Sequence, residues 1–154
     1  LSPAPGEAYY IPVGHVGWGQ VEQLPLKQVI NQLRSPLEDA TLAKLAQNGK
    51  YDMTVLAENG VTVNNLSFDT MVAAYLLGEK SLGLKALAFN KLGIEMTPIT
   101  ALIGSGAKQI SMSLVEVNRA ADYACLTSLP SSLRTGIFCR LGSLEESRPV
   151  AVLV

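Results

Sequence analysis

The first long periodic segment of the chain has the apolar spacing of a helix that buries one face. Its apolar side chains recur at i, i+3, i+4 and i+7: Leu26, Val29, Ile30 and Leu33. Pro25 suits a first helical turn, because an N–H group at that position would have no partner within the helix. The pattern therefore predicts an amphipathic helix that starts near Pro25 and ends near Ser35-Pro36.

Further helical patterns follow along the chain. They cover Lys50 to Asn59, Asp69 to Leu77, Leu82 to Leu92 and Leu114 to Cys125. Asn59-Gly60 and Gly93 are typical helix stops, because Asn and Gly adopt a left-handed conformation more readily than other residues. Asp69 is most simply interpreted as an N-cap, since its carboxylate would accept from the first free N–H groups of the helix.

Strand patterns are shorter. Glu7 to Gly14 places aromatic and β-branched residues between turn formers, and Val61 to Leu66 alternates apolar and polar residues, so both predict strands. Pro12 restricts the first to an edge or a strand end, because proline cannot donate to a sheet ladder. The glycines from Gly14 to Gly19 predict a loop. Alternating strands and helices favour an α/β domain.

Composition is typical of one folded domain. The chain has 154 residues, and its 48% apolar content is sufficient for a core. Its longest strongly apolar stretch, Met71 to Leu77, is much shorter than the ~20 residues that cross a bilayer, so we expect no membrane association and a cytoplasmic location. The chain starts with Leu1 and has no signal-peptide pattern, which predicts an internal fragment.

Charge and cysteine content exclude several classes of site. A net charge of -1 and a pI near 5.8 give no general attraction to nucleic acid, so any DNA contact has to be local. Cys125 and Cys139 lie far apart and the chain has one His, which argues against a zinc site or a disulfide framework. His15, in its glycine-rich loop, is interpreted as a structural or surface residue.

The candidate chemistry lies in the segment Gln47-Asn48-Gly49-Lys50-Tyr51-Asp52. It is followed in order by Phe68-Asp69-Thr70-Met71 and by Tyr123-Ala124. Together these motifs resemble the 3′→5′ exonuclease, or proofreading, domain of the family A (polymerase I type) bacterial DNA polymerases. The match runs over roughly Ala8 to Ala124, and several landmarks in the right order are more specific than any one of them.

The resemblance implies a ribonuclease H-like fold, a mixed sheet flanked by helices, which would be incomplete here because its first strands would precede Leu1. It also implies that Mg²⁺ or Mn²⁺ ions, held by carboxylates, support hydrolysis at the 3′ end of single-stranded DNA. By resemblance, Asp52 is a catalytic residue and metal ligand, and Tyr123 orients the attacking water. Gln47 and Asn48 correspond to DNA-binding residues of the single-strand cleft. The remainder of the polymerase chain is the implied protein partner.

The sequence departs from the family at two of its acidic motifs. The Asp-x-Glu of the first motif would precede Leu1, and the Tyr-x-x-x-Asp of the third has Thr127 in place of its Asp. A neutral hydroxyl cannot replace an anionic metal ligand, so we expect this chain alone to be inactive. Two alternatives stay open: a vestigial, non-catalytic domain that supports the polymerase, and a related exoribonuclease.

The chain is predicted to divide into two regions. Residues 1–125 form the partial exonuclease domain, and residues 126–154 form an unassigned tail with no clear period. One hypothesis for the tail is out-of-frame translation that starts close to Cys125.

Overall fold

A computed structural model of the chain describes residues 1–3, 7–16, 22–127 and 151–153. Within these residues, helices and short strands alternate in an α/β arrangement. The helices are α1 Leu26–Glu38, α2 Gly49–Glu58, α3 Thr70–Leu76, α4 Leu84–Leu92, α5 Thr100–Ile103 and α6 Val117–Thr127. The strands are β1 Lys44–Ala46, β2 Leu66–Asp69 and β3 Ala151–Leu153.

The strands form one parallel sheet in the order β2-β1-β3. The central strand β1 is fully buried, as expected for a parallel strand covered on both faces. Its pairing with β2 places Ala46 opposite Asp69, with an irregularity in register after Lys44. The buried ammonium of Lys44 is satisfied by donating to the backbone carbonyl of Asp39. This register brings the carboxyl ends of β1 and β2 together.

Two apolar clusters hold helices α1 to α4 in place. The larger one joins α1, α2 and β1 to the segment before β2, around the buried residues Leu37, Ala46, Val61 and Val63. The smaller one packs α3 against α4 around Ala74 and Leu87. Several large apolar side chains outside these clusters are nevertheless exposed, including Tyr51 at 67%, Tyr75 at 69% and Leu76 at 77%.

The first helix continues slightly past its predicted end near Ser35-Pro36. Helix α1 continues through Pro36 to Glu38. The missing N–H of Pro36 removes one helical hydrogen bond, but the extra turn buries Leu37 to 3% exposure in the larger apolar cluster. Arg34 also pairs with Glu38 across that turn at 3.1 Å. Tertiary burial therefore outweighs the local tendency of proline to end a helix.

Both predicted strands are also corrected. The segment from Glu7 to Gly14 is extended but joins no sheet; the N–H of Tyr9 donates to the Leu1 carbonyl at 2.7 Å instead. The predicted strand at Val61 to Leu66 starts only at Leu66, although Val61 and Val63 are buried as the alternation suggested. The N–H of Val61 donates to Leu56, outside any ladder. Alternation thus indicated burial rather than sheet pairing.

The remaining helix predictions are confirmed to within a few residues. Helix α2 is followed by Gly60 at φ 74°, and α4 ends at Gly93 with φ 68°, the left-handed stops expected from the sequence. The short α5 was not predicted. Most of the predicted loop from Gly14 to Gly19 and of the predicted tail lies outside the described residues, but Ala151–Leu153 pairs with β1.

No helix in the described part of the chain is both long enough and apolar enough to cross a bilayer.

Gly49 offers a test of the contact between β1 and α2. An added Cβ would lie 2.7 Å from the Ala46 Cβ and 2.9 Å from the Leu66 Cδ2, so Gly49→Ala should lower the free energy of unfolding by about 2–3 kcal/mol through overpacking. Urea titration measures this change. Gly83→Ala, where a Cβ meets nothing within 4 Å, is the matched control and should have a much smaller effect. Equal effects of the two substitutions would contradict the close approach.

Candidate active site

The segment Gln47 to Asp52 connects the buried strand β1 to helix α2. Asn48 adopts a left-handed conformation with φ 61°, which turns the chain sharply at the end of the strand. Gly49 then begins the helix directly above Ala46 and Leu66, where no side chain would fit. The combination of a left-handed Asn and a close-packed Gly therefore places the first turn of α2 at the carboxyl end of the sheet.

Asp69 fixes this turn from the neighbouring strand. As the N-cap of α3, it accepts from the N–H groups of Met71 at 2.8 Å and Val72 at 3.2 Å, which confirms the sequence prediction. It also accepts from the N–H groups of Asn48 at 3.2 Å and Gly49 at 2.6 Å. One carboxylate thus satisfies N–H groups at the starts of two helices, both of which favour negative charge.

Sequence reasoning missed this second role of Asp69. Its capping of α3 follows from local position, whereas its contacts with Asn48 and Gly49 depend on the β1–β2 register that sets Ala46 opposite Asp69. No signal in the sequence fixes that register. The glycine after Asn48 is the nearest hint, because it marks a close approach of backbone.

Asp52 lies in the first turn of α2 and is half-buried. Burial, and secondly the negative charge of Asp69, raise the pKa of Asp52 from 3.8 to about 6. A helix start normally favours a carboxylate, so desolvation outweighs the helix dipole here. Asp52 therefore carries an unusually basic carboxylate at the end of the sheet, as is common at functional sites.

The two residues before the helix differ in what they contact. Gln47 uses both ends of its amide inside the chain: Nε2 donates to the Leu82 carbonyl at 3.0 Å, and Oε1 accepts from the Thr70 hydroxyl. Asn48 is exposed, and its side chain does not cap α2. Asn48 therefore presents its amide to solvent, whereas Gln47 ties the segment to the start of α3 and the loop before α4.

Tyr123 lies in different surroundings, on helix α6, and is half-buried. It lines a cavity of about 210 Å³ together with Thr97, Ala101, Leu102, Arg119 and Asp122. Arg119 donates to the Ala101 carbonyl at 3.4 Å across one side of that cavity. Asp52 is not among the residues that line this cavity. The catalytic roles of Asp52 and Tyr123 therefore stay predictions.

Comparison with known proteins decides the family. Residues 5–125 match the family model described as 3′-5′ exonuclease. The chain is 44% identical over 131 residues to a DNA polymerase I of Chloroflexus aurantiacus, covering 84% of the chain. It is 32% identical over 123 residues to a DNA polymerase I of Pseudomonas aeruginosa, covering 77% of the chain.

The chain belongs to the 3′-5′ exonuclease family of DNA polymerase I. It spans 14% of the length of each of those two polymerases, so it corresponds to a small part of them. A DNA polymerase I of Rhizobium leguminosarum is 32% identical over 127 residues.

Exonucleases of this family generally use divalent metal ions, which makes the oxygen ligands of the site decisive. Asp69 is committed to four backbone N–H groups, those of Asn48, Gly49, Met71 and Val72. Among the described residues, no group of three or more His, Cys, Asp or Glu side chains is placed to hold a metal ion. The described part of the chain therefore does not fit a pair of cations that each require several oxygen ligands.

Asp52 gives a prediction for the pH dependence of stability. Because its folded pKa of about 6 lies above its ordinary 3.8, the folded chain binds more protons than the unfolded chain between these values. Its contribution to the free energy of unfolding should therefore decrease as the pH rises from about 4 to about 6.

The Asp52→Asn variant isolates this contribution. Relative to the wild type, it should gain about 1 kcal/mol above pH 6 and nothing near pH 4, a magnitude reduced because Asp52 is partly solvated. Urea unfolding of both proteins at several pH values measures the difference. A difference that does not change across this window would contradict the raised pKa.

Asp69 gives a second prediction. Asp69→Asn removes the charge and replaces one acceptor oxygen by a donor, so the free energy of unfolding should fall by about 2–3 kcal/mol. Asp39→Asn is the matched control, because the Asp39 carboxylate accepts from the N–H and the hydroxyl of Thr41 in an exposed turn, and this substitution should have a much smaller effect.

The Asp69→Asn variant should also change the pKa of Asp52. Since the charge of Asp69 contributes to the raised pKa of Asp52, removing it should lower that pKa toward its ordinary value. Carboxyl ¹³C chemical shifts followed against pH measure the change. An unchanged Asp52 titration would show that the two carboxylates do not interact.

Proposed function

We propose that the chain contributes to a bacterial DNA polymerase I domain that binds single-stranded 3′ ends, and that the complete polymerase removes nucleotides from them with divalent metal ions. The observation that carries the proposal is the segment Gln47 to Asp52, which in this family-matched chain runs from a buried strand into a helix start bearing a half-buried carboxylate. The same proposal includes a ribonuclease H-like fold, a cytoplasmic location and the remainder of the polymerase chain as the protein partner.

Asn48 is the most accessible DNA-binding candidate of the segment. Its amide is exposed, and its left-handed backbone holds that amide at the turn between β1 and α2. An amide carries both donors and acceptors, so it suits phosphate, sugar or base edges of a single strand. Gln47, with its internal bonds to Leu82 and Thr70, would act chiefly by holding Asn48 in place.

A vestigial domain without catalysis is the second candidate. The observation that favours it is the commitment of Asp69 to backbone N–H groups, together with the lack of a metal-binding cluster among the described residues. In that case the fold would be retained because it supports the polymerase. The relatives named DNA polymerase I favour a polymerase domain, either active or vestigial, over an exoribonuclease.

Binding of single-stranded DNA is tested by Asn48→Gly, which removes the amide but keeps the left-handed backbone accessible. We expect about 3- to 10-fold weaker binding of a labelled oligonucleotide in fluorescence anisotropy, the loss of roughly one hydrogen bond. Asn65→Gly is the control, since Asn65 is also exposed and left-handed at φ 56°, but its amide already donates to the Ala40 carbonyl at 3.0 Å. Equal affinities for the two variants would contradict a role of Asn48 in binding.

Catalysis is tested on the same chain. We expect no Mg²⁺- or Mn²⁺-dependent release of nucleotides from a labelled single-stranded 3′ end, because Asp52 alone cannot supply the ligands of two cations. Denaturing gel electrophoresis of the products measures release. Nuclease activity that is abolished by Asp52→Ala would contradict this expectation, and would show that other oxygen ligands complete the site.

A further inference from the structure

The extended segment 7–16 runs along helix α6 from one end to the other. Near the carboxyl end of the helix, the Cys125 thiol contacts the Ala8 carbonyl at 3.9 Å. Just before the start of the helix, the Val16 N–H donates to the Ser113 carbonyl at 2.8 Å. The segment that failed to join the sheet therefore serves as a support for the helix that carries Tyr123.

His15 makes the central contact of this support. It is only 7% exposed, and its Nδ1 lies 2.9 Å from the backbone carbonyl of Val115. A carbonyl oxygen only accepts hydrogen bonds, so Nδ1 carries the proton and donates to Val115. His15 thus bridges a sequence separation of 100 residues to the turn that precedes α6.

Tyr10 fixes the other side of the imidazole. Its hydroxyl lies 2.5 Å from Nε2 of His15, and the two rings meet edge to face with centroids 5.8 Å apart. With Nδ1 protonated, Nε2 of a neutral imidazole accepts from the Tyr10 hydroxyl. Burial raises the pKa of Tyr10, which keeps that hydroxyl protonated as a donor.

The backbone of His15 is held as firmly as its ring. Its N–H donates to Oε1 of Gln23 at 2.9 Å, and its carbonyl accepts from Nε2 of Gln23 at 2.9 Å. The backbone of His15 therefore cannot shift without breaking a reciprocal pair of hydrogen bonds. Val115, which precedes α6, and Ala120, in its first turn, are only 5% and 2% exposed, so the start of α6 is well packed.

We propose that His15 is a positioning residue: its Nδ1–H bond to the Val115 carbonyl sets the start of α6 and thereby the placement of Tyr123. The assignment rests on the proposed function, together with the role that the family resemblance implies for Tyr123, which is to orient the attacking water. It goes beyond that function by naming a residue outside the exonuclease motifs. His15 touches no reacting atom and acts only through the helix.

Two isosteric variants of the full chain separate the two ring nitrogens. The amide of Asn can place a donor where Nδ1 lies, and the longer Gln reaches the position of Nε2. His15→Asn retains the bond to Val115, whereas His15→Gln retains only the contact with Tyr10. Tyr10→Phe removes the second contact while keeping the first. Together, these three variants test which ring nitrogen of His15 stabilises the start of α6.

Amide hydrogen exchange along α6 and nitration of Tyr123, both followed by mass spectrometry, are the readouts. In His15→Gln we expect amide exchange at residues 117–123 to accelerate about tenfold, because one buried hydrogen bond is lost. Nitration of Tyr123 should also become faster. His15→Asn and Tyr10→Phe should remain close to wild type. Residues 51–55 of α2 serve as the internal reference and should not change.

Three outcomes would overturn the proposal: unchanged α6 exchange in His15→Gln, equal acceleration in His15→Asn, or acceleration of α2 to the same extent as α6. The last would show a general loss of stability. None of these readouts involves DNA, so they are independent of whether Asn48→Gly weakens binding. Failure of the positioning role and failure of the proposed function are therefore distinguishable.

Discussion

The Asp69 carboxylate connects the two helix starts on which the candidate site is built. It accepts from Asn48 and Gly49 at the beginning of α2 and from Met71 and Val72 at the beginning of α3. Hydrogen bonds to an ionised group are stronger than neutral ones, and the charge also complements both helix dipoles. This arrangement requires a glycine after Asn48, because a side chain there would clash with Ala46 and Leu66.

The position of the Asp69 carboxylate also affects Asp52. Its carboxylate lies in a half-buried turn beside the charge of Asp69, and both burial and that charge raise its pKa to about 6. The two carboxylates therefore have different tasks: Asp69 uses its charge to hold the backbone, and Asp52 keeps a proton-sensitive carboxylate near the site. Replacing Asp69 should therefore change the titration of Asp52, because its charge contributes to the raised pKa of Asp52.

The helix that carries Tyr123 is held by a second set of contacts, which does not involve Asp69. The extended segment 7–16 lies along α6, and His15 bonds to Val115 immediately before that helix. Residues from the beginning and the end of the family match thus meet in space. The motif segment and the tyrosine helix are therefore each fixed by their own polar contacts, one at the end of the sheet and one beside α6.

Much of the site's local structure could be predicted from the sequence. Helix boundaries at Gly60 and Gly93 and the N-cap at Asp69 follow from backbone preferences that act over a few residues. The order of the motifs also predicted the family, since short segments carry that signal without any knowledge of their contacts.

Tertiary structure alone decided the rest. Helix α1 passes through Pro36 because burial of Leu37 compensates for a lost hydrogen bond. The segment with Val61 and Val63 alternates without forming a strand, because its N–H groups find partners outside the sheet. The register that sets Ala46 beside Asp69 and the bond from His15 to Val115 join residues far apart in the chain. Such contacts depend on how whole elements pack, and no local pattern of residues encodes them.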